Sequence, residues 1–384
     1  MSERCPPRLA DCVSCTGCGA CATACHTGAL TLEPDAEGFL RPCVDAAVCV
    51  GCGRCTAVCP PLCPNPTRVP RGVWGGRVTD AEALAQSSSG GLFHVLATAT
   101  LAQGGVVVGC RWAEDFSGVT LALADTPAAA VDFQGAKYVQ SAPGTAYEEA
   151  LAALATGRQV LFTGVPCQVA GFLRLVPPHQ RARLLTAEIV CHGTPSPAVW
   201  RQALQSLANR FGAPKAIAFR DKRLGWKRGC FVYSGTRKEH AGDLHKEPYV
   251  KAFFRALCLR PSCHACVANS GRSGADFTLG DFWCDEELPT VWASDDRGAS
   301  VVIVWTEAGV NALVALGGHV ETVPATWEAA TRKNFNLVRA TPGNPARAWF
   351  MAWYKRLGVA WAERLSKPSR RWIRRLLGGT KEGA

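Results

Sequence analysis

The sequence predicts an α+β / α/β protein in three parts: a small metal-held module over residues 1–66, a larger mixed α/β domain over 73–305, and a mostly helical C-terminal extension over 306–384 with a basic amphipathic tail. Three observations predict it. Near the front, one tight cysteine spacing occurs twice, and this is the only internal repeat. Beyond residue 72, short apolar runs alternate with helical patterns, as in a mixed sheet covered by helices. The last 21 residues, from Arg364, hold seven Lys/Arg against one Glu.

The bulk composition fits this division. A chain of 384 residues is long enough for two or three domains, and 48% hydrophobic with 19% charged residues is ordinary for a soluble globular protein. The outlier is 20 cysteines, many two or three residues apart, a spacing that suits metal better than disulfides. The start, MSERCPPRLADC, has no basic segment leading into an apolar run, so no secretory signal is expected. No run of about 18 apolar residues occurs, so no transmembrane helix is expected. Free thiols suit a reducing compartment, and the expected location is cytoplasmic. Of the net charge of +11, the last 21 residues supply more than half, so the body is mildly basic and no nucleic-acid partner is expected.

Residues 1–66 are rich in Cys, Gly and Pro and too poor in apolar runs to hold together without metal. Cys15, Cys18, Cys21 and Cys25 fit C-x2-C-x2-C-x3-C, and so do Cys49, Cys52, Cys55 and Cys59. Three thiolates on one loop hold three corners of a [4Fe–4S] cubane, and in two-cluster ferredoxins the fourth comes from the other motif. One cluster is therefore assigned to Cys15, Cys18, Cys21 and Cys59, the second to Cys49, Cys52, Cys55 and Cys25. Gly17, Gly19, Gly51 and Gly53 let the loops wrap the metal with amides facing sulfur. Pro60 follows Cys59 as this pattern expects, whereas His26 holds the equivalent place in the first copy. The alternative, two zinc sites, rarely uses this spacing. Cys12 is a spare ligand or an idle thiol. Pro60, Pro61, Pro64, Pro66 and Pro70 form an exit linker.

In the larger domain, Ser87–Gly91 precedes a helical run, Leu92–Leu101, that stops at Gly104–Gly105. Val106–Val108, Val160–Phe162, Leu184–Val190 and Val301–Trp305 read as buried strands. Ala146–Ala155, stopped by Gly157, and Pro197–Asn209 read as helices, and the chain from Ala325 onward as mostly helical.

Several segments carry chemistry. Ser88, Ser89, Gly90 and Gly91 stand directly before a helix, where small residues let amides and hydroxyls meet an anionic group; the alternative is an ordinary serine cap. Thr163, Gly164, Pro166, Cys167 and Gln168 follow a buried strand, where an α/β fold places its ligands. Lys137 is either a phosphate contact or a solvated lysine. Cys258, Cys263 and Cys266 lie within nine residues, which points to metal. Cys191, in the Cys191-His192-Gly193 segment that ends a predicted strand, is the expected fourth ligand of a third [4Fe–4S] cluster. The rival is a Cys3His zinc site using His264 or His192. Arg220, Lys222, Arg223 and Lys227 around Gly225–Trp226 would hold an anionic coenzyme or form a solvated loop. Asp276 and Asp281 would cap or orient groups near the third metal site. Cys5, Cys43, Cys63, Cys110, Cys230 and Cys284 have no partner spacing.

Taken in order, SSSGG (87–91), KYVQS (137–141), TGVPCQ (163–168), CHG (191–193), FRDKRLGW (219–226), the Cys258/Cys263/Cys266 run and DFTLGDFW (276–283) follow the cysteine module. In this combination the chain resembles the coenzyme F420 hydrogenase/dehydrogenase beta-subunit family over about residues 10–305. The resemblance implies FAD in the larger domain, with Ser88, Ser89, Gly90, Gly91, Lys137, Thr163, Gly164, Pro166, Cys167, Gln168, His192 and Gly193 as its contacts and Cys167 near the isoalloxazine. It also implies at least one further cluster beside the flavin. The family's founding members pass hydride between coenzyme F420 and FAD and single electrons between FAD and clusters; others reduce a chlorophyll intermediate or serve sulfite-linked partners. The expected function is thus an iron–sulfur flavoprotein oxidoreductase, working as an oligomer or complex subunit with a hydrogenase, dehydrogenase or ferredoxin as redox partner. The alternatives are a ferredoxin-like relay subunit without hydride chemistry and a ferredoxin-dependent reductase of an organic substrate. In the tail, Ser369–Leu377 reads as a short arginine-rich amphipathic helix, suited to an anionic membrane surface, to an acidic partner, or to packing on the body with its arginines in water.

Overall fold

Strands buried on both faces read as continuous apolar runs, and the centre of this fold is built from them. The computed structural model describes residues 7–366. In the front module, β1 (Leu30–Pro34) and β2 (Leu40–Val44) form an antiparallel hairpin. Asp35 closes its turn, accepting from the amides of Glu37 and Phe39 and from Arg41 Nε. Each cysteine loop runs into a single helical turn, Ala20–Thr23 or Arg54–Ala57, entered through Gly19 and Gly53 at φ of 88° and 73°. Those left-handed positions are why glycine stands there.

The body holds a nine-stranded sheet in the order β14-β3-β13-β12-β8-β7-β4-β5-β6. Its strands are β3 (Gly72–Val78), β4 (Val106–Trp112), β5 (Val119–Ala124), β6 (Ser141–Ala142), β7 (Val160–Gly164), β8 (Leu184–Ile189), β12 (Phe277–Asp281), β13 (Ser300–Val304) and β14 (Val320–Pro324). The central four, β4, β7, β8 and β12, are parallel, so their carboxyl ends share one edge. Alternation along the strands divides the core. Val107, Leu161 and Val302 pack with the helix Leu92–Ala102. Val106, Val108, Val160 and Phe162 face the other way, toward the helices Ala146–Ala155 and Pro166–Leu173. Cys18 and Ala20 of the module belong to that second cluster, so the module is seated on this face.

A separate sheet, β11-β10-β9, comprises β9 (Pro214–Asp221), β10 (Cys230–Gly235) and β11 (Glu239–Asp243). It packs with the helices Pro197–Phe211, Pro248–Phe254 and Arg347–Leu365 around Trp200, Phe219 and Tyr233. The first of these helices has complete terminal signals: Ser196 Oγ accepts from the Val199 amide, Pro197 opens the first turn, and Gly212 at φ 92° ends it.

Two expectations change. This second sheet replaces a stretch read only as a basic loop, and β14 pairs antiparallel with β3, so the main sheet continues past residue 305 instead of giving way to a helical extension. Helices Glu307–Ala315, Trp327–Arg332 and Arg347–Leu365 supply the helical share. The expected Ser369–Leu377 helix lies outside the described residues. Among the described residues no helix is long and apolar enough to cross a membrane.

Candidate redox site

The front module brings its cysteines together across the two copies. Cys15, Cys18, Cys21 and Cys59 line one cavity of ≈ 20 Å³, with Leu32, Pro42 and Pro61. Burial, reinforced by the neighbouring Cys18, Cys15 and Cys59, pushes the Cys21 thiol up to about 12. Burial likewise pushes Cys59 up to about 11, with Cys18 and Cys15 beside it. Cys55 is raised by burial and feels the charge of Cys25, so the second group also draws on both copies.

In the body, a cavity of ≈ 50 Å³ is lined by Cys167, Cys191, Cys263 and Cys266, together with Glu188, His192 and Ser262. The four thiols arrive from different elements. Cys167 opens the helix after β7, Cys191 follows β8, and Cys263 and Cys266 lie on and just after the turn Pro261–Ala265. Burial raises all four thiols, and mutual repulsion adds to it. They are therefore neutral thiols until a metal displaces their protons, and Cys167 is no thiolate nucleophile. The Thr194 amide donates to Cys263 Sγ at 3.2 Å.

Cys258 is not part of this group, which corrects its assignment by spacing. It is fully buried in the apolar core around Trp200 and Tyr249. Burial pushes its thiol up to about 12, and its polar surroundings are the Ser196 amide, Arg347 and Glu37, with no second thiol. Cys167 holds the place that spacing gave to Cys258. His192 lines the cavity, and the Nε2 atoms of both His192 and His264 are buried without a partner among the described residues. Among the described residues, no three Cys, His, Asp or Glu side chains meet as the ligands of one ion would.

The two cavities adjoin, because Thr16 lines both. Gly171 makes the approach possible: a Cβ there would lie 3.0 Å from Cys18 Sγ and 3.1 Å from Ala20 Cβ. Tyr147 Oη ties the same junction, donating to the carbonyl of Cys18 at 2.8 Å. Sequence reasoning missed Thr16, Gly171 and Glu188, which no local motif marks.

The remaining site residues collect at the carboxyl edge of the parallel strands. Several of their polar groups are committed within the protein. Ser88 Oγ accepts from the Ala136 amide, Ser89 Oγ donates to the Ala299 carbonyl, and the Gly90 amide donates to Ser300 Oγ. Thr163 donates to the Val108 carbonyl, and Gln168 is bonded to Ser141. These residues shape the edge and leave their side chains little to offer a ligand. Gly164 ends β7, Pro166 lines the cavity with Cys167, and Gly193, at φ 138°, packs on Leu259 and Cys263. The helix Leu92–Ala102 starts at Gly91 with no side-chain cap. Lys137 donates only to the carbonyls of Gln134 and Gly135, and burial lowers its pKa. Lys222 likewise serves three carbonyls, with burial lowering it to about 8.

The basic segment after β9 divides in two. Arg220 and Lys222 turn inward, Arg220 to Asp281 at 3.3 Å and over the Trp283 ring. Arg223 and Lys227 stay on the surface, paired with Asp221, Glu239 and Asp285. Trp226 stacks on Trp283 at 4.7 Å and donates to Asp281. Asp276 is a buried brace, accepting from Arg181, Thr186 and Thr306.

Residues 14–63 match the model of the 4Fe-4S dicluster domain. Residues 157–326 match the family described as the C terminus of the coenzyme F420 hydrogenase/dehydrogenase beta subunit. Among solved structures, a chain of the xenon-derivatised F420-reducing [NiFe] hydrogenase complex from Methanosarcina barkeri is similar over 71% of this chain and 90% of its own, with 20% identity and a TM-score of 0.48. No curated protein sequence matches. With a dicluster domain at the front and the beta-subunit region through the body, the chain belongs to the coenzyme F420 hydrogenase/dehydrogenase beta-subunit family of oxidoreductases and carries iron–sulfur clusters for electron transfer.

Proposed function

We propose that this protein is an iron–sulfur flavoprotein oxidoreductase. It exchanges hydride with coenzyme F420 or a similar carrier and single electrons with a redox partner protein, as a subunit of a larger assembly. The observation that carries the reading is the adjacency of two four-cysteine cavities. Cys15, Cys18, Cys21 and Cys59 would hold the first front cluster, and Cys49, Cys52, Cys55 and Cys25 the second. Cys167, Cys191, Cys263 and Cys266 would hold a third. Their failure to converge as ligands of one ion suits a cubane, whose thiolates stand around a multi-atom core, better than zinc.

The residues at the sheet edge also fit an anionic cofactor such as FAD. Lys137 and Lys222 are half-buried cations with carbonyl partners only, and the uncapped start of the helix Leu92–Ala102 offers free amides. When bound, the flavin supplies the exchange between two-electron hydride chemistry and one-electron traffic. The chain's own part is to position and shield: Pro166 and Trp305 narrow the body cavity, and neutral His192 sits within it.

The second reading is a relay subunit without hydride chemistry, and it is favoured by the internal commitment of Ser88, Ser89, Thr163 and Gln168. Acid extraction of anaerobically purified protein separates the two. Equimolar released flavin supports the flavoprotein; full iron without flavin means a relay.

A further inference from the structure

Arg260 lies where the front module meets the body, and its side chain is entirely buried, with 0% exposed. The guanidinium packs over the Phe39 ring, 4.7 Å from its centroid. It also packs on Gly17, where a Cβ would stand 2.5 Å from Nη2. Its Nη1 donates to the carbonyls of Leu40 at 3.1 Å and Cys15 at 3.4 Å. Nε and Nη2 have no partner among the described residues. A buried charge with unused N–H groups is costly unless something negative answers it.

No carboxylate among the described residues does. The acids nearby are taken: Asp35 pairs with Arg41 at 2.9 Å, and Glu37 with Arg347 at 2.5 Å. What favours the charged form of Arg260 is sulfur, from Cys15, Cys263 and Cys167. Cys15 belongs to the front set and the other two to the body set, so one guanidinium faces both.

We infer that Arg260 is the shared counter-cation of the first front cluster and the body cluster, with its free N–H groups directed at their sulfur. This rests on the body cluster proposed above. A cubane with four thiolates is anionic and gains one further negative charge on accepting an electron. A fixed cation in a dry junction stabilises the reduced form more than the oxidised one, and so holds both potentials up. The planar fork of arginine can address two neighbours at once, which a lysine ammonium does less well.

The test is a potentiometric titration followed by electron paramagnetic resonance on the full, cluster-loaded chain, comparing wild type with Arg260→Gln and Arg260→Lys. In Arg260→Gln, the reduction equilibria of both flanking clusters should move at least tenfold toward the oxidised form, which is about 59 mV for one electron. The Cys25/Cys49/Cys52/Cys55 cluster should move much less, and Arg260→Lys should recover part of the shift. Unchanged potentials in Arg260→Gln at full iron content would overturn the inference. So would an equal shift of all clusters, or loss of iron from both variants alike, which would make the residue a matter of shape. Wild-type protein lacking the third cluster defeats the underlying reading instead, and that result is visible before any variant is made.

Discussion

The front module and the body hold cysteines in opposite ways. In the module the ligands are local in sequence and the fold around them is thin: a hairpin of five-residue strands and two single helical turns. Its members of a large apolar cluster, Cys18 and Ala20, join one otherwise built by the body. In the body the ligands come from three separate elements, and a nine-stranded sheet places them. The module therefore depends on its metal to exist as a structure, while the body cavity exists because of the sheet and then accepts metal.

The largest expected effect breaks the comparison open. Removing iron by chelation under oxidising conditions should abolish hydrogen-exchange protection across residues 30–44 while β4, β7 and β8 stay protected. Equal loss in both regions would show that the body also needs metal to fold.

The next effect separates cysteines that sequence spacing groups together. Cys167→Ser and Cys263→Ser should each lower iron by about four atoms per chain, one cubane, and disrupt flavin-to-ferredoxin electron transfer. Cys258→Ser should keep its iron, because Cys258 packs in the core around Trp200. Loss of iron from Cys258→Ser with retention in Cys167→Ser would reverse the assignment.

These variants mark where sequence reading works and where it stops. The front ligand sets are legible because their geometry is contained in spacings of two and three residues. The long buried strands and the capped helix Pro197–Phe211 are legible from unbroken apolar runs, proline and serine. The body set is only half legible. Cys167 joins Cys191 because β7 lies parallel to β8, a pairing that no local pattern encodes. Cys258 satisfies the spacing but points into a core that the sequence does not reveal. β14 was hidden because this edge strand is largely exposed and carries little apolar signal, and β9 because Arg220 and Asp221 dilute the alternation of Ile217 and Phe219.

A smaller effect concerns Glu188, whose carboxyl lines the body cavity and accepts from Thr278 Oγ1 at 2.6 Å. Burial raises it from 4.5 to about 7, against the pull of Ser273, Thr278 and Arg68. The protonated form is thus the one the fold favours. Its contribution is complete below pH 4.5 and is lost as pH rises through about 7. Anaerobic denaturant titrations should show wild type losing about 2–3 kcal/mol over that range relative to Glu188→Gln. Parallel pH profiles would mean that Glu188 is not held protonated.

The most direct test of the central claim, that one chain carries two clusters in its module and a third in its body, is a count of iron and acid-labile sulfide in anaerobically purified protein. The expected result is about twelve of each per chain. About eight of each, with one zinc, would contradict the third cluster and leave only the front pair.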